Sequence, residues 1–234
     1  MGNMITSEQT VSASQIDGFA NVVADATRKS TREELNALAE AGHLNSASMQ
    51  RVIAGGGRIT GAVAKAVRTE LREIASGVFG CLKLISAGNR VVIPSTDGTE
   101  TLATANDVFN HIDSDFKNWG CDGVERPTPE TPVEVYELVK DANYRTIYGH
   151  FGQNLDRLCL TTPQIKKFFA AEADNWLRED GWAVYQFLFK VGNEFFVARA
   201  YRYEDGHRKV DVRRFSDDCV WYAESRRRFV LPQL

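Results

Sequence analysis

One thiol and one imidazole lie close together in the sequence, and such a pair is a usual unit of nucleophilic catalysis by cysteine. His150 precedes Cys159 by nine positions, and a neighbouring imidazole can activate a thiol by taking its proton. Cys159 is flanked by Leu158 and Leu160, however, and a cysteine between apolar residues is more typical of a small hydrophobic core side chain. We therefore interpret Cys159 as structural and keep catalysis as an alternative.

A second candidate group combines an imidazole with carboxylates in one short segment. His111, Asp113 and Asp115 are followed by Asn118 and Asp122, and nitrogen and oxygen ligands of this kind can hold a divalent cation. The segment lacks the glycine and the closing glutamate of a calcium-binding loop, and acidic residues near helix ends commonly cap the helix. We therefore predict no metal site. Because no phosphate-binding glycine motif is present, we also predict no cofactor.

The C-terminal region combines basic and aromatic residues in segments patterned like strands. From Gly181 to Leu234 there are ten basic and seven acidic residues, a net charge of +3, so the rest of the chain carries −6. Arginines on one sheet face can follow a phosphate backbone while aromatic rings stack on bases. The same residue types are frequent at protein interfaces. The candidate binding residues are Arg199, Arg202, Arg208, Arg213, Arg214, Trp221 and Tyr222.

Three functional hypotheses follow from these residues. We favour a non-enzymatic interaction protein in which the N-terminal helices dock or oligomerise and the arginine-rich sheet binds a partner protein. The alternative is binding of single-stranded nucleic acid or RNA by the same sheet, although a plain charged outer face with cross-strand ion pairs has the same composition. The third hypothesis is a hydrolase or transferase, and its candidate residues are His111, Asp113, Asp115, His150 and Cys159.

Length, composition and cysteine content are those of an ordinary globular protein. The chain has 234 residues, of which 43% are hydrophobic, and a net charge of −3, so it can bury a core without disulfides and is not a general polyanion binder. Its four cysteines are widely spaced and form no C-x-x-C pair, which indicates reduced thiols in a cytoplasmic protein. No leader pattern and no run of about 18 apolar residues is present, so we expect no membrane association.

The N-terminal third has the periodicity of helices. Residues 1–13 are small and polar and predict a flexible lead. Residues 14–80 predict a helical domain or subdomain of four short helices that pack as a bundle. The second of these helices is expected to begin at Ser30, because Ser30-Thr31-Arg32-Glu33 has the pattern of a capping box. The fourth carries an apolar stripe that begins at Ile59.

Residues 81–234 predict an α+β domain. Leu82–Ile85 and Val91–Ile93 have the pattern of two short strands around a turn, and residues 102–111 predict a helix. The prolines between residues 120 and 132 predict an irregular loop. Thr131-Pro132-Val133-Glu134 has an N-cap residue, a proline at the first helical position and a capping-box glutamate, so it predicts the start of a helix.

The C-terminal third predicts a helix over residues 163–178 and then five strands. The links between the strands are short, which favours an antiparallel meander covered on its apolar face by that helix. The fold class expected from the whole sequence is therefore α+β, with a helical N-terminal part followed by an antiparallel meander sheet. The five predicted strands are 183–191, 194–203, 207–215, 219–224 and 228–231.

Residues 90–234 contain several distinctive short motifs. They include Ile93-Pro94-Ser95-Thr96-Asp97-Gly98, Asp115-Phe116-Lys117-Asn118-Trp119-Gly120, Asn154-Leu155-Asp156-Arg157-Leu158-Cys159 and Trp176-Leu177-Arg178-Glu179-Asp180-Gly181. Together they resemble a family of uncharacterised bacterial proteins with this C-terminal arrangement. The resemblance implies no activity, because that family has no assigned function, and the first 80 residues fall outside it.

Overall fold

The computed structural model describes residues 12–75 and 77–233 of the chain. Two compact units are present, Met1–Val67 and Arg68–Leu234. Most of the predicted flexible lead, residues 1–11, lies outside the described residues. Ser12 and Ala13 belong to the start of the first helix, where Ser12 and Gln15 form a capping box, so the prediction of a flexible lead is wrong for these two residues.

Among the described residues of the N-terminal region there are three helices, rather than the four predicted. They are α1 (Ala13–Glu40), α2 (Ser46–Ala54) and α3 (Gly56–Ala75). The predicted helix start at Ser30 is wrong, because α1 continues through it without a break. Neither proline nor glycine interrupts residues 19–41, and the Thr31 hydroxyl donates a hydrogen bond to the carbonyl of Thr27 one turn earlier instead of capping a new helix.

The predicted helical bundle does not form within the described residues. A bundle buries the apolar stripe of each helix in a shared core. None of the described side chains of α1, α2 and α3 is buried. The helices therefore form with the predicted periodicity, but their apolar stripes have no core to fill.

The second unit is built on one mixed sheet. Among the residues that the structure describes, nine strands take part, in the order β1-β2-β5-β9-β6-β7-β8-β4, with β3 beside β5. The strands are β1 (Val78–Phe79), β2 (Leu82–Leu84), β3 (Val91–Ile93), β4 (His111–Ile112), β5 (Thr131–Leu138), β6 (Ala183–Val191), β7 (Glu194–Arg202), β8 (Arg208–Arg214) and β9 (Arg228–Pro232).

The sheet is largely antiparallel but is not a meander of five strands. The meander β6-β7-β8 is confirmed. The predicted strand at 219–224 is wrong, since this segment makes only an isolated bridge from Trp221 to Ala142 and then a turn of 3-10 helix at Ala223–Ser225. The link from β8 to β9 is consequently long enough to cross back over the sheet. β9 pairs with the far side of β6 in parallel, and β4 pairs with β8 in parallel.

The predicted helix at residue 131 is also wrong, because this segment is strand β5. The side chains of Val133 and Val135 alternate with those of Tyr136 and Leu138 between two packing clusters, as strand geometry requires. β5 also joins β2, β3 and β9, so β2 and β3 pair with β5 and not with each other as a hairpin. These tertiary pairings outweigh the helix-start signal of Thr131 and Pro132.

Helical segments cover both faces of the sheet. On one face, α6 (Thr162–Glu172) packs with Phe187, Ala198 and Val210, which confirms the predicted covering helix, although it ends six residues early. Two shorter elements join this face, a 3-10 turn (Leu102–Thr104) in place of the predicted helix at 102–111, and α4 (Asp115–Asn118). On the other face lie α5 (Tyr144–Gly149) and a 3-10 turn (Leu155–Leu158).

Candidate functional site

The predicted binding arginines lie on and beside the meander, but four of them already hold carboxylates. Arg199 is 7% exposed, and its Nε and Nη2 donate to the two carboxylate oxygens of Asp211 at 2.5 and 2.8 Å. Arg202 and Arg208 share Asp174, with nitrogen–oxygen distances of 2.6 and 3.2 Å. These three arginines, and Arg214 described below, therefore do not form a free cationic surface.

Two more arginines complete the comparison with the predicted site. Arg214 donates to Glu194 at 2.8 Å and lies 5.0 Å from the centre of the Trp119 ring. Arg213 is exposed, and within the described part of the chain its side chain has neither a hydrogen-bond acceptor nor an ion-pair partner. The structure thus supports the ordinary interpretation of the sheet as a charged face with ion pairs. Arg199 and Arg214 form cross-strand pairs, Arg202 and Arg208 pair with Asp174 beyond the end of α6, and Arg213 is the exception.

The two predicted aromatic binding residues, Trp221 and Tyr222, lie in different environments. Tyr222 is 60% exposed. Trp221 packs on the second face of the sheet, with its ring centre 5.3 Å from that of Tyr144. Its indole is also contacted by two guanidinium groups, those of Arg199 at 5.4 Å and Arg227 at 4.3 Å from the ring centre. Trp221 is therefore the centre of a polar and aromatic cluster, and Tyr222 lies outside it.

A row of register partners forms the floor of this cluster. Gln186 of β6 pairs with Arg199 of β7, which pairs in turn with Asp211 of β8. Register partners point to the same face of a sheet, so an amide, a guanidinium and a carboxylate lie side by side on an otherwise apolar surface. The Tyr144 hydroxyl donates to the Gln186 amide oxygen at 2.7 Å. We call Tyr144, Gln186, Arg199, Tyr201, Lys209, Asp211, Trp221 and Arg227 the Trp221 cluster.

Arg227 differs from Arg199, the other arginine of the cluster, because no carboxylate among the described residues pairs with it. Its Nε and Nη1 are buried and have no hydrogen-bond partner among the described residues. Burial lowers the pKa of Arg227, and the nearby phenol of Tyr201 acts in the opposite direction. For Arg199, in contrast, the hydrogen bonds and charge of Asp211 outweigh burial and raise the pKa. The cluster has three cationic side chains, Arg199, Lys209 and Arg227, and one carboxylate.

The candidate catalytic residues are not brought together. The Cys159 thiol donates to the carbonyl of Leu155 at 3.3 Å, and burial raises its pKa to about 12, which opposes the thiolate form that a nucleophile needs. His150 is exposed at the end of α5. His111 lies in β4, which is the edge strand of the sheet at the opposite end from β1.

The acidic segment after His111 has a structural role in the described structure. The Asp113 carboxylate accepts the backbone N–H of Asp115, and the Asp115 carboxylate accepts the Asn118 amide, both at 3.0 Å. In residues 12–75 and 77–233, no three His, Cys, Asp or Glu side chains are grouped so that they could hold a metal ion.

Sequence reasoning missed Gln186, Tyr144 and Arg227 as members of the candidate site. Gln186 was visible as a polar residue in an apolar strand, which is an available signal for a buried polar contact. Arg227 was counted with the basic residues but assigned to a link between strands. Its position beside Trp221 depends on the course of the β8–β9 link, and the sequence does not reveal that course.

Comparison of the chain with protein-family models, with curated proteins and with solved structures gives no match. The resemblance of residues 90–234 to a bacterial family therefore stays a prediction. No helix among the described residues is long and apolar enough to span a membrane. Any function must consequently be argued from the residues and contacts of this chain.

Proposed function

We propose that the protein is a non-enzymatic interaction protein whose N-terminal helices associate with those of a second copy. The observation that carries this proposal is the exposure of large apolar side chains along the helices of the first unit. On α1, Ile16, Phe19 and Val22 are 60%, 51% and 67% exposed. Ile53 of α2 and Ile59 of α3 are 61% and 48% exposed.

These side chains contribute hydrophobic stabilisation only when another surface buries them. Complete burial of one such side chain contributes about 1.5–3 kcal/mol. An amphipathic helix without tertiary contacts is marginally stable in water, and clustered exposed apolar residues commonly mark an interaction site. A partner that covers several of them would therefore stabilise both the helices and the complex.

Charge complementarity favours a second copy as the partner. Helix α1 contains five acidic and three basic residues, a net charge of −2. Residues 46–67 contain Arg51, Arg58 and Lys65 and no acidic residue, a net charge of +3. Because one chain leaves the apolar residues of both segments exposed, a second chain can place its basic segment against α1 and its own α1 against the basic segment. Such a reciprocal arrangement is the two-fold contact that most homodimers use.

Sedimentation velocity over a range of concentrations tests this proposal on the full chain. We expect a dimer of twice the 26.1 kDa chain mass that dissociates on dilution. The double substitution Phe19→Ser and Val22→Ser removes two apolar contacts and should shift the protein to monomer. The control, Asn21→Ser with Ala24→Ser, changes exposed residues on the opposite side of α1 and should leave the dimer intact.

Two results would contradict self-association. One is a monomer at every concentration, and the other is an equal response of the Phe19/Val22 variant and the control. If the monomeric wild type still captured an unrelated protein through these helices, the interaction function would remain but its partner would not be a second copy. Helical content by circular dichroism separates loss of association from loss of α1.

A further inference from the structure

We infer that the Trp221 cluster is a binding site for an oxyanion group, a phosphate or a carboxylate. This site lies entirely in the second unit and is independent of the self-association proposed for the helices. The inference is based on four nitrogen atoms that lack acceptors. They are Arg227 Nε, Arg227 Nη1, Trp221 Nε1 and Gln186 Nε2, all buried and without a hydrogen-bond partner in the described structure.

The four nitrogens belong to side chains that contact one another in series. The Arg227 guanidinium lies 4.3 Å from the Trp221 ring centre, the Trp221 and Tyr144 rings are 5.3 Å apart, and Tyr144 donates to Gln186. Buried polar groups are almost always paired in folded proteins, so an unpaired one requires an explanation. Four unpaired donors in one group of contacting side chains indicate a missing acceptor.

The chemistry of these donors identifies the kind of acceptor. An arginine, an indole N–H and an amide NH₂ all donate and, apart from the Gln186 amide oxygen that Tyr144 occupies, offer no acceptor. The formal charge of the cluster is positive, because Arg199, Lys209 and Arg227 exceed the single carboxylate of Asp211. Asp211 is held by Arg199, with Lys209 Nζ 3.7 Å away, and is thus not free to serve Arg227. An acceptor with several oxygens and a negative charge matches both the number of donors and the charge.

The segment that covers the cluster is exposed on its outer side. Val220 and Tyr222 on either side of Trp221 are 50% and 60% exposed. Two backbone hydrogen bonds between Trp221 and Ala142 hold the segment, at 2.9 and 3.1 Å, together with the Asp141 carboxylate, which accepts the N–H of Ala223 at 2.7 Å. Entry of the anion requires a local movement of residues 219–222, and the bound anion would then hold this segment in place.

Thermal unfolding and tryptophan fluorescence of the full chain test the inference with sodium phosphate, sodium acetate and sodium chloride at matched ionic strength. We expect a saturable rise of several degrees in Tm and a saturable change in fluorescence with phosphate or acetate, beyond any effect of chloride. The larger response of the two distinguishes a phosphate site from a carboxylate site. An equal response to all three salts would overturn the inference, as would no response.

Matched variants locate the effect. Arg227→Gln should abolish the phosphate or acetate response, whereas Arg213→Gln, which removes the same charge at an exposed position, should retain it. Trp221→Phe keeps an aromatic ring and removes the indole N–H, so it should raise the apparent Kd several-fold and provides the test if Arg227→Gln does not fold. Unchanged binding in both Arg227→Gln and Trp221→Phe would place the anion elsewhere and overturn the inference.

Discussion

Arg199 and Asp211 are register partners on β7 and β8, and their side chains form a two-point ion pair that is almost completely buried. Both residues are on the face of the sheet that packs against α5. The Arg199 guanidinium also lies over the Trp221 ring, 5.4 Å from the ring centre. The Arg199–Asp211 pair therefore links strands β7 and β8 to Trp221, which lies in the segment between β8 and β9.

Removal of the acidic partner should destabilise the second unit strongly. In Asp211→Ala the Arg199 guanidinium stays buried without its counter-charge, and loss of one partner of a buried pair costs about 3–5 kcal/mol. We expect the free energy of unfolding, measured with urea, to fall by this amount. The control is Glu194→Ala, which breaks the exposed pair with Arg214 and should cost about 0–1 kcal/mol. Equal losses in the two variants would contradict the role assigned to the buried pair.

The four cysteines should differ in reactivity in the order of their exposure. Cys219 is exposed, whereas Cys81 and Cys121 are buried and Cys159 is half-buried. Burial raises the pKa of Cys81 and Cys121 to about 11 and that of Cys159 to about 12. At pH 8 a thiol-specific chromophoric reagent should therefore label Cys219 rapidly and the others only on unfolding.

The variant Cys219→Ser supplies the control for this labelling. Native Cys219→Ser protein should show no rapid phase, and four equivalents should react in urea-unfolded wild type. Rapid labelling of Cys159 in the native variant would instead indicate an activated thiol. That result would revive the hypothesis of a hydrolase or transferase.

The strands that could be predicted are those with a clear two-residue alternation and short turns. In β6 and β7, alternating apolar positions and the turn at Gly192 define a hairpin from local sequence alone. The position of β9 could not be predicted in this way, because its parallel pairing with β6 depends on the course of residues 215–227. β5 shows the same limit, since its helix-like start at Thr131 is outweighed by partners 40 to 100 residues away in the chain.

The candidate site was predictable in composition but not in geometry. The sequence singled out arginine and tryptophan residues of the C-terminal region as candidates. Strand register places Asp211 opposite Arg199, whereas the position of Arg227 beside Trp221 depends on the course of the β8–β9 link, where none of the described carboxylates pairs with it. The exposed apolar stripe of α1 was visible in the sequence, but the absence of a bundle to cover it was not.

The arginine pairing leads to a prediction about nucleic acid. With Arg199, Arg202, Arg208 and Arg214 already bound to carboxylates, the sheet has few cations to exchange for phosphate counterions. We expect labelled single-stranded RNA and DNA to bind no more tightly than the non-specific range of about 10⁻⁴–10⁻⁶ M at physiological salt, as measured by fluorescence anisotropy. Tighter, salt-sensitive binding that Arg213→Ala and Arg214→Ala together weaken would support the sheet as a nucleic-acid site.

Stability should fall as the pH rises above about 9. In the unfolded chain, thiols ionise near pH 9, whereas burial keeps Cys81 and Cys121 protonated in the folded chain up to about pH 11. Burial also raises the pKa of Tyr148 well above its ordinary value. Between pH 9 and about pH 11 the folded state therefore binds more protons than the unfolded state, so the free energy of unfolding decreases as the pH rises.

The size of this decrease can be checked group by group. Each thiol that is ionised only in the unfolded state lowers the free energy of unfolding by about 1.4 kcal/mol per pH unit, so urea titrations at pH 8 and pH 10 should differ by several kcal/mol. Cys121→Ala should reduce the slope, because it removes one buried thiol, and Cys219→Ala, which removes an exposed thiol, is the matched control. A slope that did not respond to Cys121→Ala would show that other groups cause the alkaline loss of stability.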